Sequence, residues 1–230
     1  MVAIKRRAVS VAQKEQRRQD ILQSARELFT THLDYDSLLM KHVAENISLT
    51  KGTLYLYFKT KEEVFLALYT EEFNLRFDVI DSLLAAYFDV GTDADNRNNG
   101  IDIFLSIMTE SMLEQQTFLR LNSLLHTVLE QNIELDCALE FKTLLRDRLN
   151  ATGAGVEKAL HFLKEGQGTE LLLMTHELMI GCFHASTPTP CLEEVLQRPD
   201  MIFMKLDFEV EFAKAIRLIL LGYESLNKRG

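Results

Sequence analysis

The residues best suited to chemistry lie in one short stretch, residues 48–61, with the sequence SLTKGTLYLYFKTK. Within it, Leu54 and Phe58 are one helical turn apart and form an apolar stripe. The other side chains therefore face away from the core, and they include lysine, threonine and tyrosine. Donors of this kind suit phosphate oxygens and base edges. The stretch predicts a short helix that offers hydrogen-bond donors to a nucleic acid.

The elements that must position this helix are also visible in the sequence. Thr50 is a good N-cap for it, and Thr60 can cap a further helix whose third position is Glu63, close to a capping box. Lys61 then lies at the positive end of that helix, which favours an anion. A short preceding helix is indicated by apolar residues at three- and four-residue intervals, Met40, Val43, Ala44 and Ile47. Two short helices around a tight turn, the second with a polar outer face, describe a helix-turn-helix.

A wider set of residues extends this pattern over residues 16–68. A first helix would hold Ile21, Leu22, Ala25, Leu28 and Phe29. The helix-turn-helix and the start of the next helix add Ala44, the run LTKGTLY at 49–55, Tyr57, Phe58 and KEE at 61–63. Together these residues resemble the N-terminal domain of the tetracycline-repressor (TetR) family of transcriptional regulators.

Three places depart from the family pattern. Ser48 stands at the turn position that usually holds Gly, and Ile47 replaces the usual Ala before it. The usual Gly after the first helix is missing from residues 33–35, and Leu38 stands where Thr or Ser usually caps the second helix. Because Ser and Asp tolerate strained backbone less well than Gly, these departures affect the expected angle between the helices.

The resemblance assigns DNA-binding roles to nine positions. It implies that Lys41, at the start of the second helix, reaches a phosphate or a base edge. Lys51, Gly52 and Leu56 would face bases, Gly52 by letting the backbone approach closely and Leu56 through an apolar contact such as a thymine methyl group. Phosphate contacts are implied for Thr50, Thr53, Tyr55, Tyr57 and Lys61. The alternative is that the tyrosines only pack or lie idle at the surface.

Composition limits the classes of protein that the chain can represent. Its 230 residues, 47% of them hydrophobic, are enough for a sizeable core. No apolar run approaches the roughly 18–20 residues of a membrane span, and the basic start lacks the apolar segment of a signal peptide. The three cysteines, Cys137, Cys182 and Cys191, are odd in number and unpatterned, which favours reduced thiols and a cytoplasmic location. Since no phosphate loop, nucleophile elbow or acid/base pair is present, we expect neither an enzyme nor a cofactor.

Charge is distributed unevenly along the chain. The net charge is −9, yet residues 1–61 hold 11 Lys and Arg against 6 Asp and Glu, and the remainder holds 14 against 28. The basic part carries the proposed DNA helix, as phosphate attraction requires. Residues 1–13 show no periodicity and predict a mobile basic arm, which would either contact DNA or only aid solubility.

Helical spacing runs through almost the whole chain and predicts an all-α fold of about nine helices. The predicted helices beyond the helix-turn-helix cover residues 14–32, 61–87, 101–112, 118–128, 133–163, 171–185 and 208–223. The polar segment 91–100 is the clearest break, residues 186–190 form a loop, and Pro199 marks a second break. This predicts an arm (1–13), a helix-turn-helix domain (14–61) and a C-terminal domain (62–230).

The resemblance also implies a homodimer and an effector pocket in the C-terminal domain. The dimer would form through the last two long helices, residues 169–186 and 203–226, although ordinary core would have a similar composition. The aromatic and methionine residues suit an apolar ligand, with Asn122 and His126 as polar anchors on one helix face; plain core is the alternative for each. The candidates are Phe73, Phe77, Phe104, Met108, Met112, Phe118, Leu121, Asn122, Leu125, His126 and Met174.

A metal site is not predicted. His176 and His184 would lie about 80° apart on a helix, with Cys182 well off both.

These patterns lead to two hypotheses about function. The first is a cytoplasmic, homodimeric DNA-binding regulator, a repressor released from a palindromic operator by a small, largely apolar ligand. The second is an all-helical protein- or ligand-binding module that no longer reads DNA, marked by the departures at Ser48 and Leu38.

Overall fold

The computed structural model describes residues 11–31, 35–89, 97–112 and 116–228. Within these ranges every regular element is helical, which confirms the predicted all-α class. The N-terminal helices are α1 (Val11–Thr31), α2 (Met40–Asn46) and α3 (Lys51–Leu54). The long α4 (Lys61–Asp89) follows, then α5 (Arg97–Glu110) and α6 (Gln116–Leu124), which continues as a π-helical turn (Leu125–Leu129). The last four are α7 (Leu135–Ala159), α8 (Gln167–Ser186), α9 (Pro190–Leu196) and α10 (Phe208–Asn227), with a 3-10 turn (Ile202–Met204) before α10.

The described ranges contain ten α-helices rather than the nine predicted, because the prediction missed α9. Pro190 occupies the first turn of this helix, where proline's fixed φ and missing N–H are tolerated. The prediction took the same proline as the end of a loop.

Several helix starts also differ from the expected ones. The last helix begins at Phe208, where its apolar spacing starts, and not at residue 203 of the range that the resemblance implies, because the Asp207 carboxylate accepts from the Val210 N–H at 3.0 Å and caps it there. α5 begins at Arg97, so residues 97–100 of the predicted break are helical, and residues 91–96 lie outside the described part. α1 begins at Val11, so residues 11–13 of the predicted arm are helical and residues 1–10 lie outside the described part.

The helix α4 is the central rod of the fold. It packs against α1 near its start and against α5, α6 and α7 further along. Phe65, Tyr69, Phe73 and Phe77 follow one another along its buried face. The rings of Phe73 and Phe77 are stacked with centroids 4.3 Å apart. One continuous apolar core therefore runs from the helix-turn-helix to α10.

The two glycines of α7 lie within the helix, as predicted, and one of them permits a close crossing with α8. A Cβ atom built on Gly153 would lie 2.6 Å from the Thr169 Oγ1 atom, and one built on Gly168 would lie 2.1 Å from the Gly153 carbonyl oxygen. The backbones are in contact here, which only glycine allows. The helix ends at Ala159 rather than at residue 163, and Gly166, at φ +85°, precedes α8.

No helix among the described residues combines the length and the apolarity that a membrane crossing requires.

Candidate nucleic-acid interface and ligand cavity

The helix α2 begins without the Ser or Thr hydroxyl that commonly caps a helix start. Leu38 is fully buried in the core, and the cap position is taken by Leu39. The Leu39 N–H donates to Nδ1 of His42 at 3.1 Å. An imidazole three residues into the helix therefore bonds the backbone at the helix start, and Leu38 contributes packing instead.

The turn between α2 and α3 closes around Ser48. Its φ of 54° lies in the left-handed region that favours glycine. The Ser48 N–H donates to the Glu45 carbonyl at 3.1 Å, and the Leu49 N–H donates to the Ala44 carbonyl at 2.8 Å. The turn therefore has the geometry of a glycine turn although serine occupies it.

The predicted cap of α3 is confirmed. The Thr50 Oγ1 atom accepts from the Thr53 N–H at 3.1 Å. Regular α-helix ends at Leu54, earlier than the predicted end at residue 58, and helical turns continue as the Phe58 N–H donates to the Leu54 carbonyl at 3.2 Å. Leu54 and Phe58 are both buried, so the predicted apolar stripe anchors this segment.

Most of the predicted DNA-binding residues lie at the surface. Leu56 is 83% exposed, so its apolar side chain is free to contact an apolar group on a partner. Thr53, Tyr57 and Lys61 are partly exposed. The exposed members of the set are Lys41, Thr50, Lys51, Gly52, Tyr55 and Leu56. The ammonium group of Lys51 lies 5.6 Å from the ring centroid of Tyr55.

Lys61 is the member of this set that the structure directs inward. Its ammonium group donates to the carbonyls of Tyr35 at 2.6 Å and Leu38 at 3.2 Å, and lies 3.7 Å from the Tyr35 ring centroid. These contacts hold the segment before α2 against the start of α4. A phosphate contact by Lys61 stays a prediction.

The start of α4 has the predicted capping residues. The Glu63 N–H donates to the Thr60 Oγ1 atom at 3.1 Å, and the Glu63 carboxylate accepts from the Lys59 N–H at 2.7 Å. Lys59 also forms an ion pair with Glu134, at the start of α7. This junction therefore joins the helix-turn-helix to the rest of the chain.

The first helix is tied to the rest of the chain by two arginines. The Arg26 guanidinium lies 3.0 Å from the Glu71 carboxylate and 3.1 Å from that of Glu72, both on α4. From α6, Arg120 donates to the Phe29 carbonyl at 2.7 Å, with its guanidinium carbon 4.1 Å from the Phe29 ring centroid. A displacement of α6 would therefore reach α1 directly.

A cavity of about 40 Å³ lies among α4, α5, α6, α7 and α8. By its volume it has room for a few water molecules. Its wall is mainly apolar and aromatic and consists of Phe73, Arg76, Phe77, Ile80, Met108, Phe118, Leu145, Leu149, Leu172, Leu173, Thr175, His176 and Met179.

Four of the eleven predicted ligand residues line this cavity: Phe73, Phe77, Met108 and Phe118. The structure places the other seven elsewhere. Asn122 is buried and accepts from the Tyr69 hydroxyl at 3.2 Å, while the partly exposed His126 pairs with Glu130 at 3.2 Å. Met174 is exposed. The remaining residues are packed in the core: Phe104, Met112, Leu121 and Leu125.

The polar residues of the cavity wall were missed from the sequence. Arg76 follows Phe73 by three positions and precedes Ile80 by four, so it falls within the apolar stripe of α4. A charged arginine inside an apolar stripe could have indicated, from the sequence, a polar group in a cavity wall. Thr175 and His176 gave no comparable signal, because α8 is apolar on more than one face.

Burial controls the charges in this wall. It lowers the pKa of Arg76 to about 10, so the guanidinium keeps its charge at neutral pH. Burial, together with the positive charges of His126, Arg76 and Lys142, lowers the pKa of His176 to about 4, so the imidazole is neutral. Among the described residues, the cavity wall thus presents one cation and one neutral imidazole.

The other titratable clusters offer no metal site within the described ranges, since no three His, Cys, Asp or Glu side chains converge there. The three cysteines are free thiols.

A helix-turn-helix with an exposed second helix, followed by a larger helical part with its own cavity, defines a class of DNA-binding regulators. The family model described as "Bacterial regulatory proteins, tetR family" matches residues 21–68. The model described as "Tetracyclin repressor-like, C-terminal domain" matches residues 78–227, well over half of the chain. The chain belongs to the TetR family and is a DNA-binding transcriptional regulator.

Solved structures share the fold at low sequence identity. A TetR/AcrR-family transcriptional regulator from Thermobifida fusca YX-ER1 is 20% identical, with a TM-score of 0.52 over 90% of this chain and 97% of that one. A putative TetR-family transcriptional regulator from Mesorhizobium loti MAFF303099 is 14% identical, with a TM-score of 0.51 over 93% and 97%. No curated protein is significantly similar in sequence.

Proposed function

We propose that this TetR-family regulator binds a palindromic operator as a homodimer, represses transcription there, and is released by a small, largely apolar ligand. The DNA-binding part of this proposal is supported by the exposed face of α3 and of the turn that follows it. Buried Leu54 and Phe58 anchor this segment, and Thr50 caps its start. A rigid segment can hold donors in a fixed position against a duplex.

The proposed DNA contacts follow the exposure of the side chains. Lys41 and Lys51 bring positive charge, Thr50, Thr53, Tyr55 and Tyr57 bring hydroxyl donors, and Gly52 and Leu56 allow close or apolar approach to bases. We place the boundary between the DNA-binding part (14–61) and the effector-binding part (62–230) at the start of α4.

The proposed dimer contact is supported by the outer faces of α8 and α10. These helices pack against each other, yet large apolar side chains on both remain exposed to solvent. Examples are Leu173 and Met174 on α8 and Val210, Leu218 and Leu221 on α10. An exposed apolar surface of this kind is typical of a subunit contact, and a two-fold dimer reads a palindromic site.

The proposed release by a ligand uses α6 as the link between the cavity and the DNA-binding part. Phe118 on α6 lines the cavity, and Arg120, two residues further on, bonds the Phe29 carbonyl of α1. A ligand that binds better when α6 is displaced would favour a different position of α1 and so of α3. The switch depends on that difference in affinity between the two states.

The test of DNA binding uses the intergenic fragment beside the gene, the purified full-length protein and a range of salt concentrations. Wild type should protect a palindromic site, and its affinity should fall steeply with salt. Lys41→Ala should weaken binding about tenfold and reduce the salt slope by about one, because one phosphate contact is lost. Tyr57→Phe should weaken binding a few-fold through the loss of one hydroxyl.

The matched control is Lys158→Ala, an exposed lysine on α7, which should leave both the affinity and the salt slope unchanged. If wild type retains no fragment even at low salt, the proposal fails and the chain is a helical module that does not read DNA.

A further inference from the structure

The arginine in the cavity wall is buried without an acidic partner. Arg76 is 2% exposed, and no carboxylate of the described residues lies within ion-pair distance of it. It contacts the Met179 sulfur, 3.8 Å from Nη1, and the Phe118 ring, whose centroid is 5.3 Å from the guanidinium carbon. Both are weak replacements for water around a full positive charge.

Two other arginines of the chain are balanced in charge by carboxylates, although their Nε atoms are buried without a hydrogen-bond partner among the described residues. Arg26 pairs with Glu71 and Glu72, and Arg148 lies 2.5 Å from the Asp78 carboxylate and 3.1 Å from that of Asp81. Both of these side chains are also more exposed than Arg76. An unbalanced buried charge costs stability, so packing alone does not account for an arginine at position 76.

A hydroxyl in the same wall is also unsatisfied. Thr175 is 2% exposed, and its Oγ1 atom has no hydrogen-bond partner in the part of the chain that the structure describes. Threonine within a helix ordinarily bonds the carbonyl four residues earlier. Thr70 does so to Leu66 at 2.8 Å, and Thr109 does so to Leu105 at 2.9 Å. A buried hydroxyl that forgoes this bond is available to a molecule in the cavity.

We infer that the ligand of this cavity is a monocarboxylate on an apolar body, received by the Arg76 guanidinium with the Thr175 hydroxyl as a further donor. This inference rests on the proposed ligand-binding function and names the class of ligand. The charge balance selects a monoanion, since Arg76 is the one cation that the described residues bring to the wall and His176 is neutral. The planar guanidinium fork matches a carboxylate, whereas a phosphate dianion would leave a negative charge unbalanced.

The remaining wall suits the apolar body of such a ligand. Phe73, Phe77, Leu149 and Leu172 surround the arginine with apolar surface, which strengthens a charged hydrogen bond by excluding water. The cavity of about 40 Å³ is smaller than such a molecule, so the ligand must displace side chains. Met108 and Met179 also line it, and methionine changes its shape readily.

The binding test titrates the full-length protein calorimetrically with hexanoate, decanoate and benzoate, each beside its neutral counterpart, 1-hexanol, 1-decanol and benzyl alcohol. At least one carboxylate should bind about tenfold or more tightly than its alcohol, as expected for a charge-assisted bond in a dry site. Inorganic phosphate alone should not bind. Equal affinity for acid and alcohol, binding of phosphate at the carboxylate's affinity, or no binding by any carboxylate would each overturn the inference.

Variants separate a ligand-binding arginine from a structural one. Arg76→Met should abolish the preference for carboxylate and should leave the urea midpoint of the unliganded protein unchanged or higher, because an unbalanced charge is removed. Thr175→Val should weaken carboxylate binding about threefold without loss of stability. Retention of the carboxylate preference in Arg76→Met, or a lower urea midpoint for that variant, contradicts the inference.

The matched control is Arg26→Met. It leaves the buried Glu72 without its cation, so the urea midpoint should fall, while the carboxylate preference should remain. Failure of the inference can be told from failure of the proposed function, since the calorimetric test involves no DNA. A protein that binds carboxylate but no operator refutes only the function, and release from operator by a neutral compound alone refutes only the inference.

Discussion

At the scale of single residues, the helix-turn-helix keeps its geometry with unusual side chains. Ser48 adopts a φ of 54° at the turn, and His42 bonds the backbone at the start of α2. Each side chain replaces a more common solution, glycine in the first case and a hydroxyl cap in the second. The departures from the family pattern therefore change how the motif is stabilised, while the turn itself still forms.

The serine in the turn carries a conformational cost that glycine would remove. Ser48→Gly should raise the free energy of unfolding by about 0.5–1 kcal/mol, because the relief of left-handed strain exceeds glycine's added unfolded-state entropy. Urea unfolding followed by circular dichroism measures this change.

Gly166→Ala supplies the reverse control, since Gly166 has a φ of +85° and open space around a new Cβ. It should lower the same free energy by about 1 kcal/mol. A destabilising Ser48→Gly would show that the serine side chain contributes more than its backbone strain costs.

At the scale of elements, the close contact of α7 with α8 fixes the floor of the cavity. Gly153 and Gly168 bring the two backbones together, and further along the same helices Leu149 and Leu172 line the cavity wall. The packing of α7 against α8 therefore affects both the shape of the cavity and the position of the surface of α8 that we assign to the dimer contact.

The two glycines of α7 give a matched pair of variants. Gly153→Ala should lower the free energy of unfolding by about 2 kcal/mol or more, because the new Cβ atom would lie 2.7–3.0 Å from backbone atoms of Thr169. No change of rotamer can relieve a clash with backbone. Gly155→Ala meets only the Leu84 side chain at 3.5 Å. It should leave stability unchanged or raise it by up to about 1 kcal/mol through helix propensity.

Thermal and urea unfolding of both variants measure the difference. Similar effects of the two substitutions would show that the helix contact adjusts to an added methyl group.

At the scale of the whole molecule, the basic part of the chain and the acidic part carry different proposed binding surfaces. The basic excess falls in residues 1–61 and the acidic excess in the remainder, so the field favours approach to DNA by α3 and disfavours approach by the C-terminal part. The exposed apolar residues of α8 and α10 lie in that acidic part. The two proposed surfaces, for DNA and for a second subunit, are therefore separated along the chain.

The proposed dimer can be tested with one charge on α10. Leu218 is 63% exposed in the single chain, so Leu218→Glu should cost little stability in a monomer. In the dimer it would bury an unpaired charge, and it should shift the protein to monomer in sedimentation equilibrium. Operator affinity should fall with it, because two half-sites must be bound together.

Leu135→Glu is the control for that experiment. Leu135 is 82% exposed at the start of α7, outside the proposed contact, so this variant should remain dimeric. A wild-type monomer, or an unchanged dimer in Leu218→Glu, would exclude this face as the subunit contact.

The sequence by itself determined the helix-turn-helix, the all-helical class and the course of the long helices. These depend on short-range signals, such as Thr50 as a cap and Leu54 and Phe58 one turn apart, which act within a few residues. The resemblance to the family that the sequence shows rests on the same local run. Helix ends differ from the spacing, as at the end of α7 and the start of α8, because capping competes with tertiary contacts at each end.

The tertiary structure alone decided which residues meet across helices. A helical stripe shows which face is buried but not which partner it contacts, so the cavity wall and the inward turn of Lys61 could not be read from spacing. The same holds for the balance of charge at Arg76. The sequence shows an arginine on α4, but whether a carboxylate lies beside it depends on five helices that come together only in the folded chain.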